Sequence, residues 1–185
     1  MSETDNTIQA KDAGVAWPLR FSSYSFGATC YNTLACRVLF CNAIHTLNKE
    51  LDAPSGQPHR PDWKNNWSGD FIHDSGPRDS FPTPVEIKWT ALDGVQREVE
   101  IDLNDVFPDR LILHDAKPED LEPWWAESGF MGRGHNVDIL LEVNDRTINI
   151  YMKSRVRTKH LEKAPDGSDE HVIHYNMALA WTKTF

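Results

Sequence analysis

The sequence predicts a mainly β protein, an antiparallel sheet or sandwich of about six strands built from hairpins, with long loops and little helix. Three observations predict it. Residues 85–103 and 137–159 each alternate apolar and polar side chains at period two on both sides of a turn signal, as the arms of half-buried hairpins do. Prolines fall where helices would otherwise run: six of the eleven lie in 52–84, and Pro118 and Pro123 leave room only for a short helix at about 118–122. The one stretch with a helical stripe, residues 34–47, carries a competing strand pattern, and an α+β class is the alternative it leaves open.

Taken in order, residues 1–16 are polar and patternless and read as a mobile tail, with 17–185 as one domain. Residues 17–33 (WPLRFSSYSFGATCYNT) are aromatic and rich in Ser, more like extended chain that docks than like a helix. Within 34–47, Leu34, Val38, Cys41 and His45 make a helical stripe, while Val38, Phe40 and Ile44 favour a strand, placed over 34–41. Residues 52–84 read as one long irregular loop. Its Trp63, Trp67 and Phe71 need apolar surroundings, so the loop is expected to pack on the surface.

The register of the first hairpin follows from parity. Val85, Ile87, Trp89 and Ala91 are odd-numbered, and so are Val95, Val99 and Ile101. Opposite residues share a face, so the loop has odd length. A three-residue loop, Leu92-Asp93-Gly94, pairs Ala91 with Val95, Ile87 with Val99 and Val85 with Ile101, and places Gly94 where a type I turn plus bulge needs a left-handed residue. Lys88 then faces Glu98, and Trp89 faces Arg97 in a cation–π pair. Asn104-Asp105 caps a helical turn through Phe107.

In the second hairpin the core positions are odd on one arm (Val137, Ile139, Leu141, Val143) and even on the other (Ile148, Ile150, Met152, Val156). The loop is therefore even, either Asn144-Asp145 or Asp145-Arg146, with the former favoured because Asn best tolerates positive φ. A last strand over 171–184 follows the turn Ala164-Pro165-Asp166-Gly167.

Charge narrows the function classes. The 185 residues carry a formal net charge of −9, unevenly spread. Between Arg146 and Lys163 there are six Lys/Arg and one acid (+5), against thirteen bases and twenty-seven acids elsewhere (−14). The basic row Lys153, Arg155, Arg157 and Lys159 reads as the wet face of a strand, offset by Asp138 and Glu142 on the partner arm. Binding to nucleic acid or to an anionic membrane is not expected of such an acidic surface, whereas a basic partner would be steered toward it. The start MSETDNTIQAKD lacks the basic and apolar regions of a signal peptide. No apolar run approaches the roughly 20 residues of a membrane helix. Cys30, Cys36 and Cys41 fit neither a zinc spacing nor a closed disulfide set and read as reduced, which points to the cytoplasm.

Motifs for catalysis are missing: no G-x-S-x-G, Walker loop or dinucleotide glycine fingerprint occurs. His59, Asp70, His73 and Asp74 offer metal-ligand chemistry without a metal-ligand spacing, so no metal or cofactor is expected. The stronger signal is aromatic residues beside acids: Asp62, Trp63, Trp67, Asp70 and Asp74 in the long loop, and Asp120, Glu122, Trp124, Trp125 and Glu127 further on. Tryptophans rimmed by carboxylates suit docking of a basic protein partner.

The blocks RFSSYSFGATCYNTLACRVLF, VNDRTINIYMKSRVRTK and MALAWTKTF resemble those of immunity proteins encoded beside type VI secretion effectors. The resemblance implies a cytoplasmic protein that binds a cognate secreted toxin, for instance a nuclease, and neutralises it by occlusion. The alternatives are a small hydrolase using the His/Asp groups of the 59–74 loop, or an adaptor subunit of a secretion assembly.

Overall fold

The computed structural model describes residues 19–49, 53–56, 60–74, 80–122 and 136–185. Among these, nine strands form two sheets: β1 (Ser23–Tyr31), β2 (Thr33–Phe40), β3 (Ala43–Asn48), β4 (Phe71–Asp74), β5 (Val85–Ala91), β6 (Gln96–Ile101), β7 (Asn136–Asn144), β8 (Thr147–Lys163) and β9 (Asp169–Thr184). One sheet runs β4-β1-β7-β8-β9 and the other β3-β2-β5-β6. Two helices of a single turn, α1 (Trp63–Asn66) and α2 (Leu103–Val106), and a 3₁₀ turn at Pro118–Asp120 complete the described elements. The mainly β class stands, with more strands than the expected six. The tail expected over 1–16 lies outside the described residues.

The inner faces of both sheets enclose one apolar cluster. Tyr24, Phe26, Ile139, Leu141, Ile148, Ile150 and Met152 come from the first sheet, and Val38, Phe40, Val85, Ile87 and Trp89 from the second. Phe26 and Phe40 meet across the gap with ring centroids 4.5 Å apart. Each side chain of this size removed from water contributes about 1.5–3 kcal/mol. Parity therefore set the faces as the sequence implied: the even residues of β8 from Ile148 to Thr158 are buried and the odd ones are not.

The first hairpin has the register derived from parity. Val85 pairs with Ile101, Ile87 with Val99 and Trp89 with Arg97. Gly94 sits at φ 74° and closes the turn onto Ala91 O at 2.9 Å. The Arg97 guanidinium turns to Asp93 at 2.7 Å rather than over Trp89, because a charged acceptor binds it more strongly than a ring face. Lys88 meets Glu98 as expected. The helical turn α2 is capped by Asp102, whose carboxylate accepts from Asn104 N at 2.8 Å, not by Asn104-Asp105. The Asn104 side chain instead accepts from Phe81 N at 2.9 Å.

The strand favoured over 34–41 is β2, and no helix follows it: Cys41 (φ 51°) and Asn42 (φ 61°) make a two-residue turn of the primed kind, and β3 returns along β2. Three expectations are corrected. Residues 17–33 supply β1, an inner strand of the first sheet between β4 and β7, and β1 runs parallel to β7 over all nine of its residues. No short connection joins these two strands, so nothing local imposes an antiparallel course. The second hairpin turns on Asp145-Arg146, with Asn144 paired to Thr147. Asp145 takes the left-handed position (φ 51°) because its neighbours hold it there: its Oδ1 accepts from Leu92 N at 2.9 Å and its carbonyl from Trp89 Nε1 at 2.8 Å. Finally, the 52–84 loop is not irregular throughout, since it contains α1 and the edge strand β4.

Candidate functional site

The segment 60–70 crosses the outer face of the first sheet, and glycines let it approach. A Cβ on Gly69 would stand 2.7 Å from the Ser25 carbonyl carbon, and one on Gly27 would stand 3.0 Å from Ser68 O. The contact at Gly69 leaves no room for a side chain and that at Gly27 is tight, so glycine at the crossing lets the two backbones meet. Asp70 N then bonds to Phe26 O at 3.0 Å and the chain continues into β4 along β1.

This cover buries a face that alternation marks as wet. Glu142 is only 1% exposed and Asp138 only 6%, so neither is the surface acid that the pattern suggested. Glu142 is the centre of a polar knot. Its Oε1 receives Lys64 Nζ at 2.8 Å and Tyr31 OH at 2.6 Å; its Oε2 receives Asn149 Nδ2 at 2.8 Å and Tyr151 OH at 3.0 Å. Lys64 also donates to Tyr151 OH at 2.8 Å and lies 4.3 Å from the centre of that ring. Burial alone raises the Glu142 carboxyl, but the bonds from Lys64, Tyr31 and Asn149 more than offset it and the net shift is downward. Burial works to lower Lys64, and Glu142 and Tyr151 reverse that, so the ammonium is held. Burial and then the bond to Glu142 push the Tyr31 phenol up. A carboxylate with both oxygens doubly occupied and almost no solvent contact is a clamp rather than a proton-transfer group.

The clamp fixes what the segment displays. Trp63 and Trp67 lean on each other with centroids 5.0 Å apart, and Trp63 meets Tyr31 edge-on at 6.1 Å. Lys153, from the basic row, reaches up to the carbonyls of Asn65 (2.7 Å) and Trp67 (2.9 Å). Asp62 and Asp70 remain exposed on this support, with Asp62 paired to Arg60 at 3.4 Å. Beside α1 a groove of about 280 Å³ is lined by Lys64, Asn65, Lys153, Tyr175, Asn176 and Met177.

The expected interface residues therefore divide. Asp62, Trp63, Trp67 and Asp70 share the clamped segment. Asp74 ends β4, and its side chain lies outside the described residues. Asp120 and Glu122 belong to a separate strap, where Leu121 bridges to Thr158; Asp120 meets His160 at 3.3 Å and Glu122 meets His171 at 3.9 Å. Trp124, Trp125 and Glu127 lie outside the described residues, as does His59. Sequence reasoning missed Lys64, Tyr31, Tyr151 and the burial of Glu142. A buried acid and an exposed one look alike in an alternating strand, and Lys64 is one of many surface-type residues in the loop.

Among the described residues no group of three or more His, Cys, Asp or Glu is placed to hold a metal ion, and no helix is long and apolar enough to cross a membrane. No protein-family model matches the chain, and no curated protein or solved structure matches it either.

Proposed function

We propose that the protein is an immunity protein: a binding module that engages a toxin and occludes it in the cytoplasm. The observation that carries this reading is the clamped segment 60–70, where an ion pair to the buried Glu142 and a glycine crossing hold a tryptophan pair and two exposed carboxylates on the sheet. Preorganised aromatic and acidic groups bind with little ordering cost and draw a basic partner such as a nuclease. The resemblance of the three sequence blocks to immunity proteins supports the same reading.

Co-expression with the product of the adjacent gene tests it. The chain should capture that product and relieve its toxicity, and Asp62→Lys with Asp70→Lys should weaken both effects while leaving the thermal midpoint unchanged. Trp124→Ala and Glu127→Lys are expected to act in the same direction. A neighbour that is harmless, or equally toxic with this chain present, removes the immunity reading. A tightly bound stoichiometric metal in the purified protein would favour a hydrolase instead.

A further inference from the structure

We propose that the protein forms a symmetric dimer by pairing the outer edge of β9 with the same edge of a second copy, a property separate from the immunity reading. Among the described residues β9 has β8 on one side and no strand on the other. Natural sheets guard such edges with charge, proline or short length. The edge strand β6 follows that rule with Arg97, Glu98 and Glu100, and β3 is only six residues long. The sixteen residues of β9 do not follow it: 172–182 (VIHYNMALAWT) contain no Lys, Arg, Asp, Glu or Pro. No residue of β9 is buried, although Ile173, Tyr175, Met177 and Leu179 form an apolar row opposite Arg157, Arg155, Lys153 and Tyr151. Ile173 is 44% exposed, Tyr175 61% and Leu179 52%.

The pattern suits a second copy because it is complementary to itself. Irregularities flank the pairing of β9 with β8 on both sides of residues 173–179, whose midpoint is Asn176. In an antiparallel pair, opposite residues share both a face and a hydrogen-bond type, so their numbers sum to an even value when a strand meets its own copy. An axis at Asn176 uses the whole regular stretch. It sets Ile173 against Leu179, His174 against Ala178, Tyr175 against Met177, and Asn176 against its mate. Every outer-face pair is then apolar, with the Met177 sulfur on the Tyr175 ring, and an amide carries both donor and acceptor for its own image. Residues 172–182 bring no Lys, Arg, Asp or Glu of their own to the contact, and Asp115, which reaches this strand, is engaged by His174. Such a contact is isologous and closed, so it stops at two copies.

Sedimentation of the full chain should show a monomer–dimer equilibrium with a micromolar dissociation constant, as expected of an interface at the small end of the range. Ile173→Lys combined with Tyr175→Lys replaces only exposed side chains. It should leave the thermal midpoint in place and weaken dimerisation by at least about tenfold, since symmetry counts each change twice. Ile44→Lys, at a site 53% exposed on β3, should change nothing. In a Cys41→Ser background, Asn176→Cys should give a disulfide-linked dimer under mild oxidation and Thr182→Cys should not. A chain that stays monomeric at high concentration, or a dimer that survives the two lysines, overturns the proposal. A dimer in which Asn176→Cys fails to cross-link overturns the axis.

Discussion

Glu142 is the most deeply buried carboxylate among the described residues. A buried charge that loses its partner costs about 3–5 kcal/mol, whereas replacing both partners by apolar groups of similar volume is often close to neutral. Lys64→Met, which strands the buried carboxylate, is expected to lower the stability read from urea unfolding by about that amount; Glu142→Leu should cost less, because the Lys64 side chain is 32% exposed, and the double variant should recover much of the loss. The same carboxylate ties stability to acid. Its folded pKa lies below the ordinary 4.5, so its contribution is present above that value and is lost as the pH falls through the lowered one. At the other extreme the phenols of Tyr24 and Tyr31 are held up, chiefly by burial. Unfolded tyrosine loses its proton near pH 10.0 while the folded residues keep theirs, so stability should also decline above that pH. Urea midpoints measured across the pH range check both limbs.

Among the elements, the hairpin β5–β6 was legible in its register, because two rows of odd-numbered apolar residues admit one loop length. That hairpin still holds an uncorrected flaw: Glu86 pairs directly with Glu100. Like charges opposite each other are unfavourable, and the next cross-strand pair on the same face, Lys88 with Glu98, shows the remedy. Glu100→Lys should raise stability by about 0.5 kcal/mol, less at high salt, which thermal unfolding at two ionic strengths would show. The second hairpin was legible in its faces but not in its turn. Asn144 and Asp145 compete on local preference, and contacts with Leu92 and Trp89, far away in sequence, decide for Asp145. Alternation also reports a residue's face and says nothing of which strand lies beside it. For that reason the parallel pairing of β1 with β7 could not be read, and neither could the cover over Glu142. Of the candidate site, the tryptophans and acids of 62–70 were visible by composition, and the clamp beneath them was not.

For the molecule as a whole, the two sheets are joined at one end through Asp145-Arg146. Trp89 and Leu92 of the second sheet's hairpin bind Asp145, Phe185 N reaches Arg146 O at 3.0 Å, and the Phe185 ring meets Trp89 edge-on at 5.3 Å. A side chain here both tolerates positive φ and accepts a hydrogen bond across the sandwich. Asp145→Ala loses both and should cost about 1–3 kcal/mol, while Asp145→Asn should cost less; chemical denaturation of the two variants separates them.

The turns at Gly94 and Gly167 have one geometry. Each follows an alanine (Ala91, Ala164) that bonds across the loop, and each holds an aspartate whose Oδ1 accepts, at 2.9 Å, from the backbone N–H two residues on (Asp93 from Val95, Asp166 from Ser168). Both glycines have open space around them, but the first turn is moored to the other sheet by the bond from Leu92 N to Asp145. For protein engineering they are therefore unequal doors. A short epitope spliced between Asp166 and Gly167 should leave the thermal midpoint nearly unchanged, whereas the same epitope between Asp93 and Gly94 should loosen both sheets at once.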